Sequence, residues 1–218
     1  MADRLLLGTR RYSSWSMRGW LLVRLAGLDV EEVVVPLNGA GDPSAVAGLS
    51  PSGLVPFLQH GGHDVWDSLA IAEYCAELKP GVWPTGFGAR THARVISAEM
   101  HSSFRALRGA MPMNLGRHRP GACQTPDALA DIARLETLWR NARAQHGAGG
   151  PYLFGAAFNA ADAMFAPVVA RLLTYEPPLS DETRAYCDAV RAHSLVEEWY
   201  AAAAREPREW LLDKYENA

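Results

Sequence analysis

Cysteine is scarce in this chain: three residues in 218, at Cys75, Cys123 and Cys187, far apart and with no paired spacing. An odd count without a C-x-x-C pair excludes a disulfide framework and a zinc knuckle. Long apolar runs are also missing. No stretch approaches the ~20 apolar residues of a membrane span, and the opening Met-Ala-Asp-Arg has no apolar signal core. Excess charge of one sign is absent too. The formal net charge is -3, and the arginines are scattered rather than gathered in tracts, so no basic surface recommends a nucleic-acid partner. The G-x-x-x-x-G-K-[ST], G-x-G-x-x-G and H-E-x-x-H motifs do not occur, which removes the usual nucleotide and zinc-protease readings. Hydrophobic content of 49% against 21% charged residues is ordinary for a globular chain and argues against disorder. The expectation is a soluble cytoplasmic protein that binds no membrane.

Up to about Leu78 the pattern alternates between strand and helix. Leu5 to Leu7 reads as a short buried strand, Met17 to Ala26 as a helix closed by Gly27, and Glu31 to Pro36 as a β-branched strand. A turn-rich segment, Asn38 to Pro43, precedes a short helical stretch near Ser44 to Ala47. Leu54 to Leu58 and Asp64 to Trp66 form a hairpin around His60-Gly-Gly-His63, because paired glycines supply the positive φ of a tight turn. A helix follows from Ser68 to Leu78. Residues 80–88 concentrate proline and glycine and read as a linker between residues 1–79 and residues 89–218. Beyond it the strand signals stop. Helices are expected over Ala89 to Met111, ending at Pro112, over Asp127 to Gln145, and from Asn159 through Thr174, with Ser180 to His193 and Leu195 to Ala204 completing a bundle. Asn159-Ala-Ala-Asp162 has the form of a capping box, a folding feature worth roughly 1 kcal/mol.

The polar loop Thr9-Arg-Arg-Tyr-Ser-Ser-Trp-Ser16 joins the first strand to the first helix. It delivers Ser13, Ser14 and Ser16 to a helix N-terminus, where unpaired N–H groups and the positive end of the macrodipole favour an anion. Gly53-Leu-Val-Pro-Phe-Leu58 is strand-like with a proline inside it, and Asp67-Ser-Leu-Ala-Ile-Ala-Glu73 starts a helix on an Asp-Ser pair. In that order the three segments resemble the amino-terminal half of a glutathione transferase of the serine-dependent kind (the zeta class and its bacterial relatives). The second half is similar to that family's all-helical domain. The fold the resemblance implies is an α/β thioredoxin-like domain followed by an all-α domain.

The resemblance also implies a chemistry. Counted back from Arg18, which resembles an arginine of the family's first helix, Ser13 takes the place of the catalytic serine. Ser14 is its alternate and Ser16 a helix cap; the plainer alternative is that all three only cap the helix. Val55-Pro56 resembles the cis-proline junction that turns a backbone N–H and C=O toward glutathione's cysteinyl unit. Asp67 and Ser68 would hold the γ-glutamyl end, and Asn38 or His60 is the candidate for the glycyl carboxylate. Trp15, Met111 and Met113 are candidates for an adaptable wall around a small hydrophobic electrophile. Arg10, Arg11 and Arg18 are expected on a solvated loop, and His60 and His63 on an exposed turn without a metal. Glutathione is the implied cosubstrate and a homodimer the implied assembly. Conjugation, dehalogenation and isomerisation are the implied reactions. A reductase would want a cysteine at position 13 or 16, where there is none, and a non-catalytic glutathione-binding protein is the remaining alternative.

Overall fold

The computed structural model describes residues 3–38 and 44–217. Most of the turn expected over Asn38 to Pro43 therefore lies outside the described residues. The chain begins β1 (Arg4–Gly8), α1 (Ser14–Ala26) and β2 (Glu31–Val35), then a 3-10 turn at Ser44–Val46, β3 (Phe57–His60), β4 (His63–Trp66) and α2 (Ser68–Leu78). The strands form one sheet in the order β2-β1-β3-β4. β1 runs parallel to β2 with Leu6 opposite Val33, and antiparallel to β3 with Leu6 opposite Phe57. A parallel neighbour needs a crossover, and α1 supplies it. Gly27 closes α1 in the left-handed region, its N–H on the carbonyls of Val23 and Arg24. The β3–β4 hairpin turns on Gly61 and Gly62 at φ 58° and 81°, as the paired glycines require. Strand β3 begins at Phe57 rather than Leu54, since Pro56 has no N–H to give a ladder.

The helical half comprises α3 (Phe87–Ser102), α4 (Arg105–Ala110), α5 (Pro126–His146), α6 (Ala160–Tyr175), α7 (Asp181–Arg191), α8 (Ser194–Ala204) and a final turn α9 (Asp213–Glu216). The single helix expected from Ala89 to Met111 is in fact two. Ser103 is extended and Phe104 adopts φ 61° with its ring buried. The groups freed by the break find partners from elsewhere in the chain: Asp131 accepts the Leu107 N–H, and Arg108 donates to the carbonyls of Met100 and Ser103.

α6 is apolar on nearly every face and is buried on nearly every face. Its capping box forms as expected: Asn159 Oδ1 accepts from the Ala161 N–H and Asp162 Oδ2 from the Asn159 N–H at 3.0 Å. The buried core is continuous from the sheet into this bundle, joining Leu5, Leu7 and Leu21 to Met164, Phe165 and Trp199. α1 packs against α2 on one side and α6 on the other. The segment between α2 and α3 also takes part, because Val82 and Trp83 are buried and the Val82 carbonyl accepts the Ala160 N–H at 2.8 Å. The sheet and the bundle thus share one interior, and the start of α1 opens at their junction.

Candidate active site

A cavity of about 1010 Å³ lies at that junction. It is lined by Tyr12, Ser13, Ser14 and Trp15 at the start of α1, by Val55, Pro56 and Asp67 from the sheet half, by Arg108, Met113 and Arg171 from the helical half, and by Lys214 and Tyr215 near the C-terminus.

Ser13, not Ser16, is the N-cap of α1. Its Oγ accepts the Ser16 N–H at 3.2 Å and donates to Ser16 Oγ at 2.8 Å. Ser16 lies inside the helix, fully buried, and accepts the Gly8 N–H at 2.9 Å, which fastens the end of β1 to the first turn of α1. Ser14 is the first helical residue, and its Oγ accepts from Arg171 Nη2 at 3.4 Å.

Val55-Pro56 is cis. Among the described residues no hydrogen-bond partner is found for the Val55 N–H or C=O, so both are available at the cavity wall. A glycine makes the junction possible. A Cβ built on Gly19 of α1 would stand 2.6 Å from the Pro56 ring, closer than real Cβ atoms approach. The sequence reading had no signal for this contact, since a glycine inside a helix usually reads only as a weak helix former.

Asp67 caps α2 with φ 73°, accepting the Leu69 N–H at 2.7 Å, and its other oxygen lies 3.2 Å from His101 Nε2. Burial alone would raise its pKa, but the bonds from His101 and Leu69 and the charge of Arg18 hold the carboxyl below its usual value. Ser68 is fully buried and does not reach the wall; its hydroxyl has no partner among the described residues. Met113 and Trp15 do line the cavity, whereas Met111 sits behind the wall with its carbonyl on Arg171 Nε.

Asn38 bonds Ser44, and His60 bonds Tyr74 at the hairpin; neither lines the cavity. Nor is Arg18 solvated. It is 1% exposed within α1, its guanidinium carbon 3.9 Å from the Trp15 ring centroid, and its Nε and Nη2 have no partner among the described residues. Burial, reinforced by the charge of Arg108, pushes its pKa well below the ordinary arginine value. Arg10 and Arg11 are engaged as well, their N–H groups donating to Glu206. No cluster of three or more potential metal ligands occurs among the described residues.

Sequence reasoning missed Arg108, Arg171 and the C-terminal segment. Tyr12 donates to Glu216 at 2.7 Å and its ring lies tilted against that of Tyr215, centroids 5.2 Å apart, and Asn114 and Arg117 also bond Glu216. A short polar tail carries no periodicity, so nothing in its composition announces a strap across a cavity.

Two family models match the chain: Glutathione S-transferase, N-terminal domain, over residues 12–78, and Glutathione S-transferase, C-terminal domain, over residues 116–202. No curated protein matches. Among solved structures, the chain is similar to a glutathione transferase homolog from Burkholderia gl BGR1 with bound glutathione. It is 23% identical, with 94% of this chain and 99% of that one covered and a TM-score of 0.70. The tau class transferase of mango, Mangifera indica, is 17% identical, covering 93% and 96% with a TM-score of 0.67. The theta class enzyme of Xanthomonas axonopodis pv. citri, with glutathione bound, is 22% identical, covering 94% and 98% with a TM-score of 0.63. At these identities the likeness shows the fold, and the two family models, which together span most of the chain, show the rest: this chain belongs to the glutathione S-transferase family.

Proposed function

We propose that the protein is a transferase that binds glutathione against its sheet domain and activates the thiol with Ser13, for attack on a small electrophile held by the helical domain. One observation carries the reading. The N-cap hydroxyl of α1 and the unpaired backbone of Val55 share the wall of a single interdomain cavity. The peptide backbone of Val55 pairs with the cysteinyl unit, which places the sulfur toward the helix N-terminus. Asp67 faces the γ-glutamyl amino group, and Ser68 meets the adjoining carboxylate through its backbone N–H, its hydroxyl being buried.

The magnitudes suffice. A cysteine thiol near pKa 8.5 needs a shift of about two units, roughly 2.7 kcal/mol, to be mostly ionised at neutrality. A hydroxyl donating to a charged sulfur supplies ~1.5–3 kcal/mol, and the helix terminus adds ~0.3–1 kcal/mol. Hydroxyl protons rotate to suit their partners. Because Ser16 Oγ already accepts from Gly8, its own proton can turn to Ser13 Oγ, 2.8 Å away. The Ser13 proton is then free for sulfur, and Ser16 acts as a positioning residue. The thiolate attacks the electrophilic carbon, in conjugation, dehalogenation or isomerisation through a transient adduct.

The ultraviolet thiolate band of bound glutathione tests this. Ser13→Ala is expected to raise the bound thiol pKa by about 1–2 units, Ser16→Ala by less, and Ser14→Ala hardly at all. Loss of the band in Ser14→Ala with Ser13→Ala intact would move the role to Ser14. Retention on immobilised glutathione without turnover of any electrophile would favour a binding protein. We also propose a homodimer. Leu78, Phe87 and Val95 are large apolar side chains left exposed on α2 and α3, Phe87 at 79%, and a partner subunit would cover them.

A further inference from the structure

The helical side of the cavity is cationic. Arg108, Arg171 and Lys214 line the cavity, and the Arg18 guanidinium packs against the Trp15 ring. Among the described residues, no carboxylate is within ion-pair distance of Arg18, Arg108 or Arg171. The hydrogen bonds of the two lining guanidiniums go only to neutral groups, although the Asp131 carboxylate acts on Arg108 from beyond ion-pair distance. Arg171 donates to the carbonyls of Met111 and Pro167 and to Ser14 Oγ, and Arg108 to the carbonyls of Met100 and Ser103. Buried charges are ordinarily paired, because an isolated one forfeits its hydration. The strain is visible in Arg171, where burial and then the like charge of Arg108 bring the pKa down to about 9. It still carries its charge at neutrality. The acidic residue on the cavity wall, Asp67, belongs to the sheet half and is occupied by His101 and the Leu69 N–H.

We propose that the electrophile taken by this site is an anion, with a carboxylate or similar single negative group seated between Arg108 and Arg171. The proposal rests on the glutathione-transferase reading and narrows it, since an uncharged apolar electrophile would leave the buried Arg171 without a counter-charge and Arg108 with only the more distant Asp131. The geometry also sets where the charge sits on the substrate. Arg171 Nη2 lies 3.4 Å from Ser14 Oγ, one residue from the thiol-activating hydroxyl. The anionic group must therefore stand close to the carbon attacked, on the same small scaffold. Guanidinium forks suit a planar carboxylate better than lysine ammonium groups would, because each fork offers parallel donors.

The test uses a matched pair of aryl chlorides, 4-chloro-3-nitrobenzoate and its neutral isostere 4-chloro-3-nitrobenzamide. In each, the thiolate sulfur bonds to the ring carbon and chloride leaves with the C–Cl electron pair, giving an S-aryl glutathione. Calorimetry measures the two S-aryl conjugates and glutathione itself on the intact protein. kcat/KM for each chloride is divided by its uncatalysed rate with glutathione, to remove intrinsic reactivity. The carboxylate conjugate is expected to bind at least tenfold tighter than the amide conjugate, with the corrected kcat/KM favouring the benzoate similarly. Arg171→Gln and Arg108→Gln are each expected to bring the ratio toward one while leaving the amide conjugate within a few-fold, and Arg171→Lys to restore part of it.

Equal or weaker binding of the carboxylate conjugate to the wild type overturns the proposal, whether or not the variants fold. If Arg171→Gln weakens both conjugates equally and raises the bound thiol pKa, the arginine serves the sulfur and the proposal fails. Absence of glutathione binding sinks the broader reading instead, and that measurement keeps the two failures apart.

Discussion

At the scale of single residues, the site depends on one atom that is missing. Gly19 faces inward from α1 onto Pro56, and any side chain there would overlap the ring. Gly19→Ala sets two effects against each other. Alanine improves helix propensity by about 1 kcal/mol, while overpacking a tight contact costs ~1–3 kcal/mol. The expected outcome is a net loss of about 1 kcal/mol in stability, read as a lower urea midpoint, together with weaker glutathione binding, since Pro56 and the Val55 backbone are pushed toward the cavity. A gain in stability with unchanged glutathione affinity would show that the proline simply gives way. The sequence announced Ser13, Val55-Pro56 and Asp67 because capping, proline chemistry and helix starts are local. It did not announce Arg108 or Arg171, which look like any helix-surface arginine until tertiary packing turns them inward. Arg18 was misread for the same reason: a cation at the start of a helix suggests solvent, yet α1 is covered on two sides.

At the scale of elements, the capping box of α6 does more than the sequence pattern promised. Asp162 is fully buried and accepts hydrogen bonds from the backbone of Asn159 and Leu153 and from the hydroxyl of Tyr186 at 3.1 Å. Residues 159 and 162 predict the first of these; the other two arrive from a loop and from α7, beyond the reach of local spacing. Asp162→Ala leaves three buried donors without a partner, and at ~1–3 kcal/mol each the expected loss is about 3 kcal/mol or more in chemical denaturation.

The same group gives a pH signature. Burial, outweighing its hydrogen bonds, lifts the Asp162 carboxyl from its ordinary 3.8 to about 6. Between those two values the native state holds a proton that the unfolded chain has released, so this contribution to stability falls as pH rises from about 4 to about 6 and is level above that. The stability gap between wild type and Asp162→Ala should therefore be widest near pH 4 and narrow toward pH 6. A gap that widens over that range would contradict the assignment. The split of the expected long helix into α3 and α4 belongs to this scale too. The interval from Ala89 to Met111 has no proline and keeps helical composition, and the break is held by Asp131 of α5 from across the fold and by Arg108 reaching back to Met100 and Ser103.

At the scale of the whole molecule, the two halves recognised from their patterns are not two independent folding units. Leu5, Leu7 and Leu21 from the first half and Met164, Phe165 and Trp199 from the second belong to one buried cluster, and Trp20 meets Trp199 at 5.4 Å. α1 owes one covered face to α6, so removing the helical half would expose apolar surface that the small sheet cannot hide, at about 25 cal/mol for each Å². Cooperativity follows from that shared interior. Tryptophan fluorescence, which samples the Trp20–Trp199 contact between the halves among other sites, and far-ultraviolet circular dichroism, which samples all helices, should report one coincident thermal transition. The proposed homodimer would add a second mark, because mass action would make the midpoint rise with protein concentration. Two separated transitions would mean that the junction holding the cavity can open while both halves stay folded. The arginine-lined wall and the serine-bearing start of α1 would then be able to part before either half lost its structure, and a single coincident transition is what the continuous core requires instead.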